Sequence, residues 1–134
     1  LPNPMSHFST IQTELRDRGA LLAALDDLGY SASEESQTVR GYRGQLITAE
    51  LAIRQEQGGD IGFRLNSESG CYELVADLEL WRQPVPVERF LSQLNQRYAL
   101  RTILAATAEE GFQVSEQTQQ LDGSIELVVT RWDA

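Results

Sequence analysis

Apolar and polar positions alternate most clearly from Glu73 to Leu80: Leu74, Ala76, Leu78 and Leu80 face one way, and Glu73, Val75, Asp77 and Glu79 the other. A two-residue period is that of a half-buried strand. The same reading predicts strands over Phe8 to Leu15, Tyr30 to Val39, Leu46 to Arg54, Ile61 to Leu65, Phe112 to Gln120 and Ser124 to Trp132. Helical spacing appears twice. Leu21, Leu25 and Leu28 follow Asp17 as N-cap and stop at Gly29, while Val87, Leu91, Leu94 and Tyr98 follow Pro84 and Pro86. In the second stretch the stripe slips, because continuing it would turn Arg101, Ala105 and Ala108 inward while the apolar residues are Leu100, Ile103 and Leu104. A break near Tyr98-Ala99 is therefore predicted, followed by a further helical segment ending at Gly111.

The chain also echoes itself at an offset of 82 residues: Leu22-Ala23-Ala24 meets Leu104-Ala105-Ala106, Gly29-Tyr30 meets Gly111-Phe112, Ser33-Glu34 meets Ser115-Glu116, and Gln37 and Gly41 meet Gln119 and Gly123. Internal repetition constrains architecture before any single residue does. It predicts an α+β fold in two layers, an antiparallel sheet of about six to seven strands with helices on one face. A pseudo-twofold would relate two strand-helix-hairpin units. All 134 residues suit one domain, with residues 5–55 as the first repeat and 71–134 as the second, which carries the inserted helix. Leu1 to Pro4, ahead of Met5, read as a tag remnant.

Charge and composition remove several chemistries. The net charge is −9, and all eleven basic residues are arginine. Without lysine there is no Schiff base, no P-loop lysine and no lysine general base. His7 is the one histidine and Cys71 the one cysteine, so zinc fingers, two-histidine iron sites and an internal disulfide are excluded. No metal or cofactor is expected. The acidic balance disfavours nucleic acid as a partner, and no apolar run approaches the ~20 residues that insertion in a membrane requires.

Met5-Ser6-His7-Phe8-Ser9-Thr10-Ile11, Leu25-Asp26-Asp27-Leu28-Gly29, Tyr72-Glu73-Leu74-Val75-Ala76-Asp77-Leu78, Gln96-Arg97-Tyr98-Ala99 and Gly111-Phe112 together resemble the family called hypothetical chloroplast reading frame thirty-five, of cyanobacteria and plastid genomes. The resemblance covers nearly the whole chain from Met5. It implies a photosynthetic host and a cytoplasmic location, or the stroma in plastid-bearing relatives. It implies no reaction and supplies no catalytic residues.

Three sets of residues remain as candidate sites. Glu73, Asp77 and Glu79 share a strand face that Glu50 can join across the sheet; the cluster either holds a hard cation or does acid/base work, or is simply the wet side of the sheet. Ser6 and His7 mark a rim at the first strand, as a pH-sensitive contact or an ordinary hydrogen-bonded edge. Trp81 and Trp132 end two strands beside Arg82 and Arg131, and with Val75 and Val128 they would make the face opposite the helices amphipathic. Tryptophan and arginine are enriched at binding hot spots, although both indoles would equally fold over local apolar surface. The reading is a non-enzymatic interaction or assembly module that docks a protein with a basic surface. The competing reading is a small enzyme or ligand-binding protein that uses the carboxylates.

Overall fold

The computed structural model describes residues 8–34, 38–55 and 59–131. Among these described residues nine strands and two α-helices follow in the order β1 (Phe8–Gln12), α1 (Arg18–Asp27), β2 (Ala32–Ser33), β3 (Thr38–Arg40), β4 (Leu46–Thr48), β5 (Leu51–Ile53), β6 (Ile61–Leu65), β7 (Tyr72–Asp77), α2 (Val87–Glu109), β8 (Phe112–Gln119) and β9 (Ile125–Arg131). Five strands form an antiparallel sheet in the order β1-β7-β6-β5-β2, while β3-β4 and β8-β9 form separate two-stranded ladders. The protein is thus mixed α/β, and the expected single sheet of six to seven strands is divided into three.

The division follows from what covers each face of the main sheet. Leu51, Ile53, Ile61, Phe63, Leu74 and Ala76 point to one side and pack with Leu21, Ala24 and Leu25 of α1 and Phe90 and Leu94 of α2. The alternate positions Ala52, Gly62 and Val75 face the other way and are also buried. Above them lies the β3-β4 hairpin, whose Val39 and Ala49 cluster with Ala52. Two carboxylates fasten it. Asp60 accepts from the Arg40 backbone N–H at 3.0 Å and from Arg40 Nε at 2.8 Å, and Asp77 accepts from Tyr42 N–H at 3.1 Å. Leu46 to Ile53 therefore breaks into two strands near Ala49-Glu50, one serving the hairpin and one the sheet.

Local chemistry sets both ends of α1 and the end of α2. The Asp17 carboxylate accepts from Ala20 N–H at 2.8 Å, satisfying one of the orphan donors of α1. Its end is a Schellman turn in which Tyr30 N–H reaches Leu25 O at 2.9 Å, with Gly29 at φ 89°. The 23-residue α2 also stops at a glycine of positive φ, Gly111 at 83°, whose N–H reaches Ala108 O at 3.2 Å.

No break occurs at Tyr98-Ala99, because the slip in the apolar stripe marks a change of packing partner. Val87, Phe90 and Leu94 serve the sheet core, and beyond Leu100 the helix runs beside the β8-β9 ladder. Strand β7 likewise ends before Leu78, since Asp77 also caps Glu79 N–H at 3.1 Å and turns 78–80 into a 3-10 helix. That leaves Leu78 at the surface rather than in the core.

Candidate interaction site

The carboxylates singled out in the sequence do not converge. Glu73 is buried and accepts from Gln12 Nε2 at 2.8 Å, from Asn66 Nδ2 at 2.7 Å and from Arg64 Nη2 at 3.2 Å. These bonds, Gln12 and Asn66 foremost, outweigh burial and hold its carboxyl below the usual range. Asp77 is spent on the backbone of Tyr42 and Glu79, Glu50 accepts from Leu65 N–H at 2.7 Å, and Glu79 lies exposed in the 3-10 turn. The cluster expected on one strand face is thus three separate structural contacts and one surface residue. No group of three or more histidine, cysteine or acidic residues placed to hold a metal occurs among the described residues.

A stronger polar assembly was not singled out in the sequence. Asp60, fully buried, binds Arg40 and, at 2.7 Å, Arg54 Nη1, while Gln55 N–H donates to it at 3.3 Å. Burial pushes its carboxyl up, but the side-chain and backbone bonds from Arg40 and the backbone bond from Gln55 more than reverse this, and it titrates below the usual range. The Gln55 side chain then bonds Gly59 O and, at 3.0 Å, Leu80 O, and accepts from Arg82 N–H at 3.0 Å. This network joins β3, β5 and β6 to the turn after β7. The bonds named tie one part of the fold to another.

The expected aromatic-arginine surface is dispersed. Val75 is fully buried beneath the hairpin, so it is not presented to any partner. Trp81 is half-buried, meets Phe90 edge-on with ring centres 5.3 Å apart, and donates from Nε1 to Val85 O at 2.7 Å. It closes the margin of the helix core, because an indole with its one donor satisfied packs as a hydrophobe. Arg82 donates to the carbonyls of Glu79 and Trp81. Val128 and Arg131 stand elsewhere, on β9, with the Arg131 guanidinium over the Phe112 ring at 5.2 Å. Ser6, His7 and Trp132 lie outside the described residues, as does the segment ahead of Met5.

Strand β9 is where apolar surface is left over. Along it Ile125 and Leu127 are half-buried toward α2, whereas Val128 and Val129 are each 41% exposed. Among the described strands β9 pairs with β8 alone. Register puts Glu116 opposite Val128 and Thr118 opposite Glu126, so both glutamates share the face turned from the helix. Between the other face and α2 runs a groove of about 230 Å³, lined by Ala99, Leu100, Ile103, Ser124, Ile125 and Leu127. It continues into a polar recess of about 460 Å³ beside the turn at Asp122-Gly123. Sequence reading overlooked this groove. Its one signal was Ile103, an apolar residue off the helix stripe, and it stands 47% exposed.

These features define a mixed α/β protein organised around a five-stranded antiparallel sheet, with two smaller two-stranded ladders beside it. By sequence the chain belongs to the family described as a protein of unknown function, DUF1257, which matches residues 24–128. It is 41% identical to the uncharacterized protein ycf35 of Guillardia theta and to that of Cyanophora paradoxa, each over 128 residues, 96% of this chain and 98% of the relative. The ycf35 protein of Pyropia yezoensis is 40% identical over 129 residues, 96% of this chain and 99% of that one. No solved structure matches the chain. No described helix is long and apolar enough to cross a membrane.

Proposed function

We propose that this protein is a non-enzymatic interaction or assembly module of a photosynthetic cell, acting in the cytoplasm or plastid stroma, and that it docks a basic protein partner through the β8-β9 ladder. The observation that carries this reading is β9 itself, a seven-residue strand rich in β-branched residues, paired on one side by β8 and showing Val128 and Val129 at the surface. Long apolar edge strands invite pairing, and proteins that keep one exposed usually use it. From Ala105 to Arg131 the chain carries five acidic residues and one arginine, a balance that selects a cationic surface. Val128 and Arg131 belong to the docking surface; Trp81 and Arg82 belong to the scaffold.

The internal echo fits the same reading as a duplicated helix-glycine-strand unit. Leu22 to Ala24 and Leu104 to Ala106 are both helical, and Gly29 and Gly111 share a positive φ. In the first unit the strand after the glycine returns to the sheet edge at β2. In the second it pairs forward with β9 and leaves the ladder outside the main sheet.

Photo-crosslinking in extracts of the protein's own host tests the assignment. A crosslinking residue at Val128 should give a discrete adduct that excess unmodified protein competes away, and one at the exposed loop residue Glu68 should not. The same adducts from both positions would overturn the reading.

A further inference from the structure

Resting on that reading, we infer that the partner binds as an added β-strand: an extended segment with alternating apolar and basic side chains pairs with the outer edge of β9. Three observations meet at this edge. The first is incompleteness, since a two-stranded ladder backed by one helix still has an open edge at which a third strand can add main-chain bonds. Here β8 and β9 pair with each other and with no other described strand.

The second observation is the groove. A strand laid beside β9 would direct alternate side chains toward α2, into the space bounded by Leu100, Ile103, Ile125 and Leu127. That space, about 230 Å³ and lined mainly by hydrocarbon, suits valine or leucine side chains at every second position. The remaining side chains would emerge on the face of Glu116 and Glu126. Cross-strand neighbours of opposite charge stabilise pairing and like charges oppose it, so this face calls for arginine or lysine.

The third observation is the sequence of β9, Ile125-Glu126-Leu127-Val128-Val129-Thr130-Arg131. It contains no proline, glycine or lysine, the residues with which edges are usually blunted, and the bulge of this ladder falls on β8 between Val114 and Glu116. A second copy of the chain is the less suitable occupant, because each copy carries a net charge of −9 and would present its own glutamates to this face. Strand addition takes its affinity from main-chain bonds and its selectivity from alternate side chains.

A synthetic nine-residue amidated peptide of alternating arginine and valine is the probe, with a peptide of the same composition, all arginines preceding all valines, as control. Fluorescence anisotropy with the full chain should show the alternating peptide binding about tenfold more tightly than the block peptide. Its affinity should fall as salt is raised. Glu126→Arg and Ile103→Glu, both at exposed positions, should each weaken binding severalfold while leaving the circular dichroism unchanged. Equal binding of the two peptides would reduce the effect to charge attraction and overturn strand addition, as would no binding of either. Salt-promoted dimerisation of the chain through β9 would also overturn it, making a second copy the occupant. Should both peptides fail while Val128 still yields its specific adduct, strand addition falls and the docking surface stands.

Discussion

Tyr98 lies in the middle of α2, yet its hydroxyl accepts the backbone N–H of Asp17, the N-cap of α1, at 2.8 Å, and that of Arg16 at 3.1 Å. One phenol thus supplies acceptors to two backbone donors just ahead of the other helix, while the Asp17 carboxylate serves Ala20. Tyr98→Phe should cost about 1 kcal/mol, the net worth of a partly solvated hydrogen bond. Urea unfolding measures it, and an unchanged midpoint would show that water replaces the phenol at no cost.

Gly62 is the position where the hairpin comes closest to the sheet. A Cβ there would lie 2.4 Å from Val39 Cγ2 and 3.1 Å from Ala49 Cβ, and Val39 is buried and branched. Gly62→Ala should therefore destabilise by about 2 kcal/mol through overpacking. Gly29→Ala meets no atom within 4 Å, so its cost, about 1 kcal/mol, comes from the positive φ alone. Gly62→Ala paired with Val39→Ala should recover part of the loss, whereas Gly29→Ala paired with Val39→Ala should not; thermal melts of the four variants separate strain from crowding.

Acid should loosen the protein through three carboxyls. Hydrogen bonding from Arg101 holds Asp27 below its ordinary value of 3.8, and Asp60 and Glu73 are held below 3.8 and 4.5 by the partners described above. A group whose pKa is lower folded than unfolded contributes stability that is complete above the unfolded value and vanishes as pH falls through the folded one. Stability should be flat near neutrality and decline once pH drops below about 4.5. Asp60→Ala should cost about 2 kcal/mol at neutral pH, since it leaves the backbone N–H groups of Arg40 and Gln55 without their acceptor, and it should remove part of the acid dependence. A parent and a variant with parallel pH profiles would rule out this origin.

Trp81 offers a separation of scaffold from surface. Trp81→Phe keeps the ring against Phe90 and loses the bond to Val85 O, so stability should fall by about 1 kcal/mol. Crosslinking from Val128 should be unaffected per folded molecule. Loss of the adduct in a folded Trp81→Phe protein would move the docking surface back to the tryptophan.

Much of the local structure was legible in the sequence because caps and alternation are local signals. Asp17, Gly29 and Gly111 announced the helix ends, and the two-residue period from Glu73 to Asp77 marked β7, an interior strand of the sheet. What escaped was assembly. Leu46 to Arg54 alternates in the same way whether it is one strand or two, so nothing local showed that its first half would leave the sheet to pair with β3. Gly62, inside a strand, was the one hint of a close approach. The partners of Glu73 and Asp77, namely Arg64, Gln12 and the Tyr42 backbone, lie on other elements, and spacing along one strand cannot distinguish a solvated carboxylate from one consumed by the fold.

The pairing of β1 with β7 has a bearing on synthesis. Phe8 pairs with Asp77, so β1 leaves the ribosome well before β7 and must wait for it before its register is defined. The neighbouring meander β5-β6-β7 closes through short connections and faces no such delay. Until β7 emerges, β1 is a finished strand without its neighbour and β6 shows an open flank, and it is in this interval that the growing chain needs protection from stray strands.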